Sequence, residues 1–143
     1  MIKETGSVHA IVANKGRMLL QLRDDNPDIL NPNCWGAIGG RVEGGETFVE
    51  GLIREVLEET CVRVSEEQCE FVMKKGYRDG EVFFINLDDN QAESVKLGNE
   101  GQEVRFFTLQ EMDRLNNLSP ILRNQVSASR ALVKKCLKRS VSQ

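Results

Sequence analysis

The chain predicts an α/β domain in which a mixed β-sheet lies against helices. Three observations predict it. Residues 6–13 alternate apolar with small side chains, and residues 17–22 pair back beyond the hairpin signal Asn14-Lys15-Gly16. Residues 46–60 carry apolar side chains at helical spacing. Beyond residue 60, further strand-like and helix-like stretches follow one another, as in a layered α/β arrangement. A length of 143 residues, with 40% hydrophobic and 29% charged residues, suits one soluble globular domain over 1–143 with a single core.

Taken in order, residues 6–13 form a first strand, Asn14-Lys15-Gly16 is a hairpin signal, and residues 17–22 pair back. Residues 24–33 are a polar loop with Pro27 and Pro32, and residues 35–38 are a short strand entering a Gly39-Gly40 turn. A helix starts at Glu46 or Thr47 and runs to about Thr60, with Val49, Leu52, Ile53, Val56 and Leu57 on its packing side. Strands are expected near 62–64, 70–77, 81–87 and 103–107, and a short helix over 109–115. Pro120 marks the first turn of a last helix over about 119–138. Its final turns carry Lys134, Lys135, Lys138 and Arg139. Cations at a helix C-terminus complement its dipole, which explains them better than an anionic partner does.

The side of the first helix away from its apolar residues is acidic. Glu55, Glu58 and Glu59 stand at i, i+3 and i+4, so they are neighbours on the helix surface. Carboxylates that close repel one another unless a cation sits among them, and an oxygen-only set suits Mg²⁺ or Mn²⁺. A divalent-metal site beside a glycine-rich turn is what phosphate chemistry needs.

Gly40, Glu46, Arg54, Glu55, Val56, Glu58, Glu59 and Val62 fall in register with the Nudix box, with Cys61 where that pattern has glycine. Trp35-Gly36-Ala37-Ile38-Gly39-Gly40 resembles the lead-in to the box, with Ile38 in place of proline. Together with the flanking strands, the resemblance covers roughly residues 5–115. It implies the Nudix α/β/α sandwich, with the mixed sheet between helices. It implies a catalytic set of Glu55, Glu58, Glu59, Arg54, Glu46 and Glu100. In that set Glu55, Glu58, Glu59 and the carbonyl of Gly40 hold Mg²⁺, with Mn²⁺ as a substitute. Arg54 and Glu46 orient the helix against the turn. Gly39 and Gly40 let the backbone approach the phosphates closely. Glu100 is the first candidate for an acidic residue outside the box and Glu103 the second. Arg23 is placed to bind phosphate, against the plainer role of a salt bridge to Asp24 or Asp25. Phe83, Phe84, Tyr77 and Trp35 are the aromatic candidates for stacking on a base, although aromatic residues in strands more often belong to the core. Asn33 and Asn86 are candidates for reading a base edge. A glycine just past a helix end takes the left-handed conformation at no cost, so a non-glycine residue at 61 costs about 1 kcal/mol or the helix ends another way.

The activity implied is cleavage of the diphosphate linkage of a nucleoside diphosphate derivative, using an activated water. A (d)NTP or oxidised (d)NTP, split to the monophosphate and pyrophosphate, is the leading substrate. ADP-ribose or a nucleotide sugar is the runner-up, and trimming of RNA 5′ ends comes third. A non-catalytic nucleotide-binding module of the same fold is the competing class, but such modules typically lose the box carboxylates. The resemblance leans toward a homodimer, with no interface stripe legible in the sequence.

Net charge of −3 and a pI near 5.3 argue against a DNA-binding or general nucleic-acid-binding protein. No apolar run approaches the ~18 residues of a membrane helix, and the N-terminal residues lack the apolar region of a signal peptide. Cys34, Cys61, Cys69 and Cys136 form no Cys-x-x-Cys pair, and the lone His9 sits in an apolar strand, so zinc is not expected. Free thiols fit a cytoplasmic location.

Overall fold

The computed structural model describes residues 6–75 and 79–141. Its centre is a six-stranded mixed sheet in the order β4-β5-β1-β3-β2-β6. These strands are β1 (Ser7–Asn14), β2 (Arg17–Leu22), β3 (Trp35–Arg41), β4 (Glu70–Lys74), β5 (Gly80–Asn86) and β6 (Glu103–Phe107). β1 lies parallel to β5 and antiparallel to β3, while β2 pairs antiparallel with both β3 and β6. The hairpin expected at Asn14-Lys15-Gly16 is present, with Lys15 and Gly16 both at positive φ and Asn14 paired to Arg17.

Period-two alternation divides β1 between two cores. Val8, Ala10 and Val12 pack with Leu52 and Val56 of α1 (Phe48–Thr60). Ile11 and Ala13 pack on the other face with Leu122 and Val126 of α4 (Pro120–Ala128), and with Val133, Cys136 and Leu137 of α5 (Arg130–Arg139). Helices therefore cover both faces, which is the expected α/β/α sandwich. The short helices α2 (Asp89–Glu93) and α3 (Leu109–Asp113) connect strands at the margins.

Four local expectations are corrected. Residues 62–64 form no strand. Val62 and Val64 are buried beneath α1 in an extended segment that leads to a 3₁₀ turn at Glu66–Gln68. β5 takes its antiparallel partner from Glu70 to Lys74 instead. Gly39 and Gly40 do not form a turn but lie within β3, opposite His9 and Val8 of β1. α2 was not anticipated, although the Asp88–Gln91 capping box that starts it is a local signal. The last helix is broken at Ser129 (φ −124°, ψ 31°), and its two halves both press apolar residues onto the sheet. A straight helix of that length could not follow the twisted sheet.

Arg139 has a tertiary role beyond the helix dipole. It makes a two-pronged contact with Glu70 on β4 at 2.8 and 2.9 Å and lies 5.0 Å over the Phe84 ring. All four cysteines are free.

Candidate active site

α1 begins with a capping box: the Thr47 hydroxyl accepts from the Glu50 N–H, and the Glu50 carboxylate accepts from the Thr47 N–H. This sets the phase in which the helix presents Arg54, Glu55, Glu58 and Glu59. Arg54 is the hub. Its Nε and Nη2 donate to the two Glu46 oxygens at 2.7 and 3.0 Å, a paired geometry that fixes the guanidinium plane. Nη2 also donates to the Arg41 carbonyl at 3.0 Å, tying the helix to the end of β3. Nη1 donates to Glu55 at 3.0 Å and to Glu58 at 2.9 Å. The hydrogen bond from Arg54 holds the Glu46 carboxyl below its ordinary range, and Glu46 in turn pushes Arg54 up. Gly51 leaves room for this arrangement, because a Cβ there would come within 3.2 Å of Glu46 Oε1.

Two carboxylates of the helix reach the glycines of β3. Glu59 Oε1 accepts from the Gly39 N–H at 2.9 Å. The Glu55 carboxyl lies against Gly40 so closely that a Cβ at 40 would stand 2.7 Å from it. Gly39, at φ +145°, has no room for a side chain either, since a Cβ would meet the Val8 carbonyl at 2.2 Å and the His9 ring at 2.8 Å. Burial pushes the Glu59 carboxyl up to about 8, against the lowering effect of the Gly39 N–H, and the negative charges of Glu55 and Glu100 add to the rise. Glu55 is also raised: burial outweighs its contact with Arg54. Among the described residues no three acidic, histidine or cysteine side chains converge as a finished metal cage. Arg54 holds Glu55 and Glu58, while Glu59 is drawn to the backbone of β3.

The loop after α2 brings Glu100 to this place. The Gly98 N–H donates to the Glu59 carbonyl and the Asn99 N–H to the Glu58 carbonyl, so the loop caps the end of α1. Only glycine fits at 98, where a Cβ would stand 1.7 Å from the Glu58 carbonyl oxygen. The buried Gln21 side chain then donates to the Glu100 carbonyl at 3.1 Å. Glu103 lies on β6 and is engaged by Arg105 at 2.6 Å. Of the two acidic candidates, the structure brings Glu100 to the α1 carboxylates. Cys61 ends the helix at φ 63°, in the left-handed conformation that glycine takes without strain.

A cleft of about 340 Å³ opens beside the glycines, on the α4 side of the sheet. Ser7, His9, Arg23, Gly40, Arg41 and Lys75 line it, together with Ser119 at the start of α4 and Leu122 and Gln125 on that helix. Arg23 donates from Nε to the Leu30 carbonyl at 2.8 Å, and no ion pair links it to Asp24 or Asp25 among the described residues. Its charge is felt by both Glu59 and His9.

The aromatic candidates part company with the site. Trp35 is buried edge-on to Phe107 at 4.8 Å, and Phe83 and Phe84 are buried in opposite cores. Tyr77 lies outside the described residues. Asn33 is a loop residue at φ 59° whose Oδ1 accepts from Gln102, and Asn86 sits on β5 away from the cleft lining. His9, Lys75, Gln21 and Gly98 were not singled out for the site. The signal for His9 was a polar ring in phase with Ser7 on an otherwise apolar strand. The other three owe their places to contacts across the fold.

A capped helix carrying Glu55, Glu58 and Glu59 against a glycine-bearing strand, on a two-faced α/β/α sandwich, defines the class. The chain belongs to the NUDIX family, whose domain model matches residues 3–128. It is 30% identical over 112 residues to an ADP-ribose pyrophosphatase of Methanocaldococcus jannaschii, across 76% of this chain and 64% of that protein. The chain thus spans just under two thirds of that relative's length. Among solved structures it resembles a bifunctional NMN adenylyltransferase/ADP ribose pyrophosphatase from Francisella tularensis, complexed with AMP and a Mn ion. That likeness has a TM-score of 0.69 at 18% identity, over 89% of this chain and 41% of that one. It also resembles a MutT protein from Methanosarcina mazei Go1, with a TM-score of 0.60 at 24% identity over 96% of this chain and 94% of that one. At such identities these structures speak for the fold alone. No described helix is long and apolar enough to cross a membrane.

Proposed function

We propose that this chain is a divalent-metal-dependent pyrophosphohydrolase that cleaves the diphosphate linkage of a nucleoside diphosphate derivative. One observation carries the reading: Glu55 and Glu59 of α1 lie directly against Gly40 and Gly39 of β3, beside a cleft rimmed by Arg23, Arg41 and Lys75. The donors suit a hard divalent ion, being carboxylates and backbone carbonyls without a sulfur or imidazole among them. Burial raises the Glu59 carboxyl to about 8 despite the charge of Arg23, so a bound metal ion would stabilise its ionised form. The Gly40 carbonyl, Glu55, Glu58 and Glu59 would hold Mg²⁺, or Mn²⁺ in its place.

Such an ion supplies charge neutralisation on phosphate oxygens and a more acidic water. The chain does the rest. Arg54, locked by Glu46 and the Arg41 carbonyl, holds Glu55 and Glu58 in place, so its own charge offsets their repulsion. Gly39 and Gly40, by carrying no side chain, let β3 lie directly against Val8 and His9 on β1 and against the Glu55 carboxyl. Glu100, presented by the loop on the end of α1, would take a proton from the attacking water. Arg23, whose charge is felt by both Glu59 and His9, would bind a phosphoryl oxygen of the substrate.

The leading substrate is a (d)NTP or oxidised (d)NTP, split to the monophosphate and pyrophosphate. The cleft favours it, because Arg23, Arg41 and Lys75 line the cleft and no described carboxylate does. A second reading, ADP-ribose or a nucleotide sugar, is favoured by the name of the M. jannaschii relative. The test is turnover of a panel at pH 8 with Mg²⁺, with and without chelator, with phosphatase added to reveal monophosphate products. The panel holds canonical and oxidised (d)NTPs, ADP-ribose, sugar nucleotides and dinucleoside polyphosphates. Chelator-sensitive turnover of one group supports the hydrolase and names its substrate. Metal-independent nucleotide binding without turnover of any member would move the chain to the non-catalytic binding class.

A further inference from the structure

Away from the α1 carboxylates, the inner end of the cleft carries a second polar cluster. His9 on β1 faces the cleft, with its ring packed beneath Gly39. Lys75 follows β4, and its backbone N–H donates to the Gly80 carbonyl at 3.0 Å, which anchors it at the base of the β4–β5 connection. Gly80 leaves the passage for the lysine stem, since a Cβ there would lie 2.7 Å from Lys75 Cδ. The Lys75 ammonium then donates to the Ser7 hydroxyl at 2.7 Å and to His9 Nδ1.

That last contact settles the imidazole. An ammonium group has donors only, so Nδ1 must accept and the ring proton resides on Nε2. Burial pushes His9 down to about 3, and the charges of Lys75 and Arg23 act in the same direction. The ring is therefore a neutral N–H donor throughout the working range of the protein. Among the described residues, no protein acceptor is recorded for Nε2. A neutral donor, a lysine and the nearby Arg23 form a surface whose chemistry calls for an oxygen-rich anion. Among the described lining residues a cation would find no carboxylate, and an aromatic base no ring other than the imidazole of His9 itself.

We infer that His9, Lys75 and Ser7 form a phosphoryl subsite, which receives a phosphoryl group of a polyphosphate substrate at the end of the cleft away from Glu55 and Glu59. The assignment deepens the hydrolase reading and rests on it for the placement of the substrate. It names the polyphosphate end, rather than the base or a sugar, as what this end of the cleft recognises. The charge of Arg23, felt by both Glu59 and His9, adds to the attraction for such a group.

The probe is inorganic pyrophosphate, titrated calorimetrically into the chelated wild-type protein and into Lys75→Met and His9→Gln. Lys75→Met keeps the stem and removes the charge, and it should weaken pyrophosphate binding at least about tenfold, as expected for loss of a charge-assisted contact. His9→Gln keeps an N–H donor near the position of Nε2, and it should bind within about threefold of wild type, a difference below 1 kcal/mol. In turnover of whichever panel nucleotide is hydrolysed, Lys75→Met should raise KM and leave kcat nearly unchanged. Pyrophosphate binding that is absent in wild type, or equal in wild type and Lys75→Met, overturns the subsite. Turnover with an unchanged KM in Lys75→Met overturns the subsite and leaves the hydrolase standing. Lys75-dependent pyrophosphate binding without any turnover supports the subsite and overturns the hydrolase.

Discussion

Replacing Glu59 by glutamine removes one charge from the carboxylate set while keeping the side chain's size and an acceptor for the Gly39 N–H. The consequence for stability can be worked out from the structure. Without metal, the folded carboxyl keeps its proton to about pH 8, whereas an unfolded one releases it near 4.5. Between those values the folded state binds the extra proton, so raising the pH costs stability, and the loss levels off above about 8. His9 acts oppositely. Its folded value is pushed below the unfolded 6.5, so it adds stability as the pH rises toward 6.5 and nothing beyond. The window from 6.5 to 8 therefore isolates the carboxylates. At about 1.4 kcal/mol per pH unit, the loss across it is on the order of 2 kcal/mol, somewhat less for a side chain that retains some solvent contact. The assay is urea unfolding in chelator at pH 6.5, 7.25 and 8. Wild type should lose stability across the series, and Glu59→Gln should lose much less. Added Mg²⁺ should restore wild type at pH 8 and do little for the variant. Turnover by Glu59→Gln should fall well beyond tenfold with the fold intact. A flat wild-type profile, or activity within about tenfold of wild type (under ~1.4 kcal/mol in the barrier), would refute the assignment of Glu59 to the metal.

Two further substitutions test the surroundings. Cys61→Gly relieves a left-handed residue whose exposed thiol makes only a distant contact with the Leu97 carbonyl, at 3.9 Å. Thermal or urea unfolding should show a neutral to stabilising change of up to about 1 kcal/mol, and a loss of several would reveal packing by the thiol. Glu100→Ala should lower kcat by about 10²-fold or more, in the range of a lost general base, while Glu103→Ala, which only frees Arg105, should leave it near wild type. The reverse pattern in steady-state kinetics would place the acidic position on β6.

The helix and its acidic face were legible because they depend on local geometry. A 3.6-residue period places Glu55, Glu58 and Glu59 together wherever the helix packs, and Thr47 with Glu50 starts it in any context. The Gly39-Gly40 pair was legible as a site of close backbone approach but misplaced in a turn, because its pairing with Val8 and His9 depends on a strand about thirty residues away. The strand expected at 62–64 failed for a related reason. Val62 and Val64 have a strand's composition, but the place beside β5 went to β4. Phe83 and Phe84 could not be sorted between ligand and core until the sheet had a layer on each face.

Local signals in the chain were enough for the α/β class, the helix from Glu46 or Thr47 to about Thr60, and the box carboxylates with Arg54 and Glu46, while the left-handed Cys61 was one of two endings they left open. Each is set by neighbours within a few turns of chain. The folding of distant segments, by contrast, puts the charge of Glu100 on Glu55 and Glu59, that of Arg23 on both Glu59 and His9, and the Lys75 ammonium on Ser7 and His9 at the end of the cleft. These depend on strand order and on loops docking across the fold. Side chains far apart in the chain meet only after the sheet and its two helical layers have buried their apolar faces.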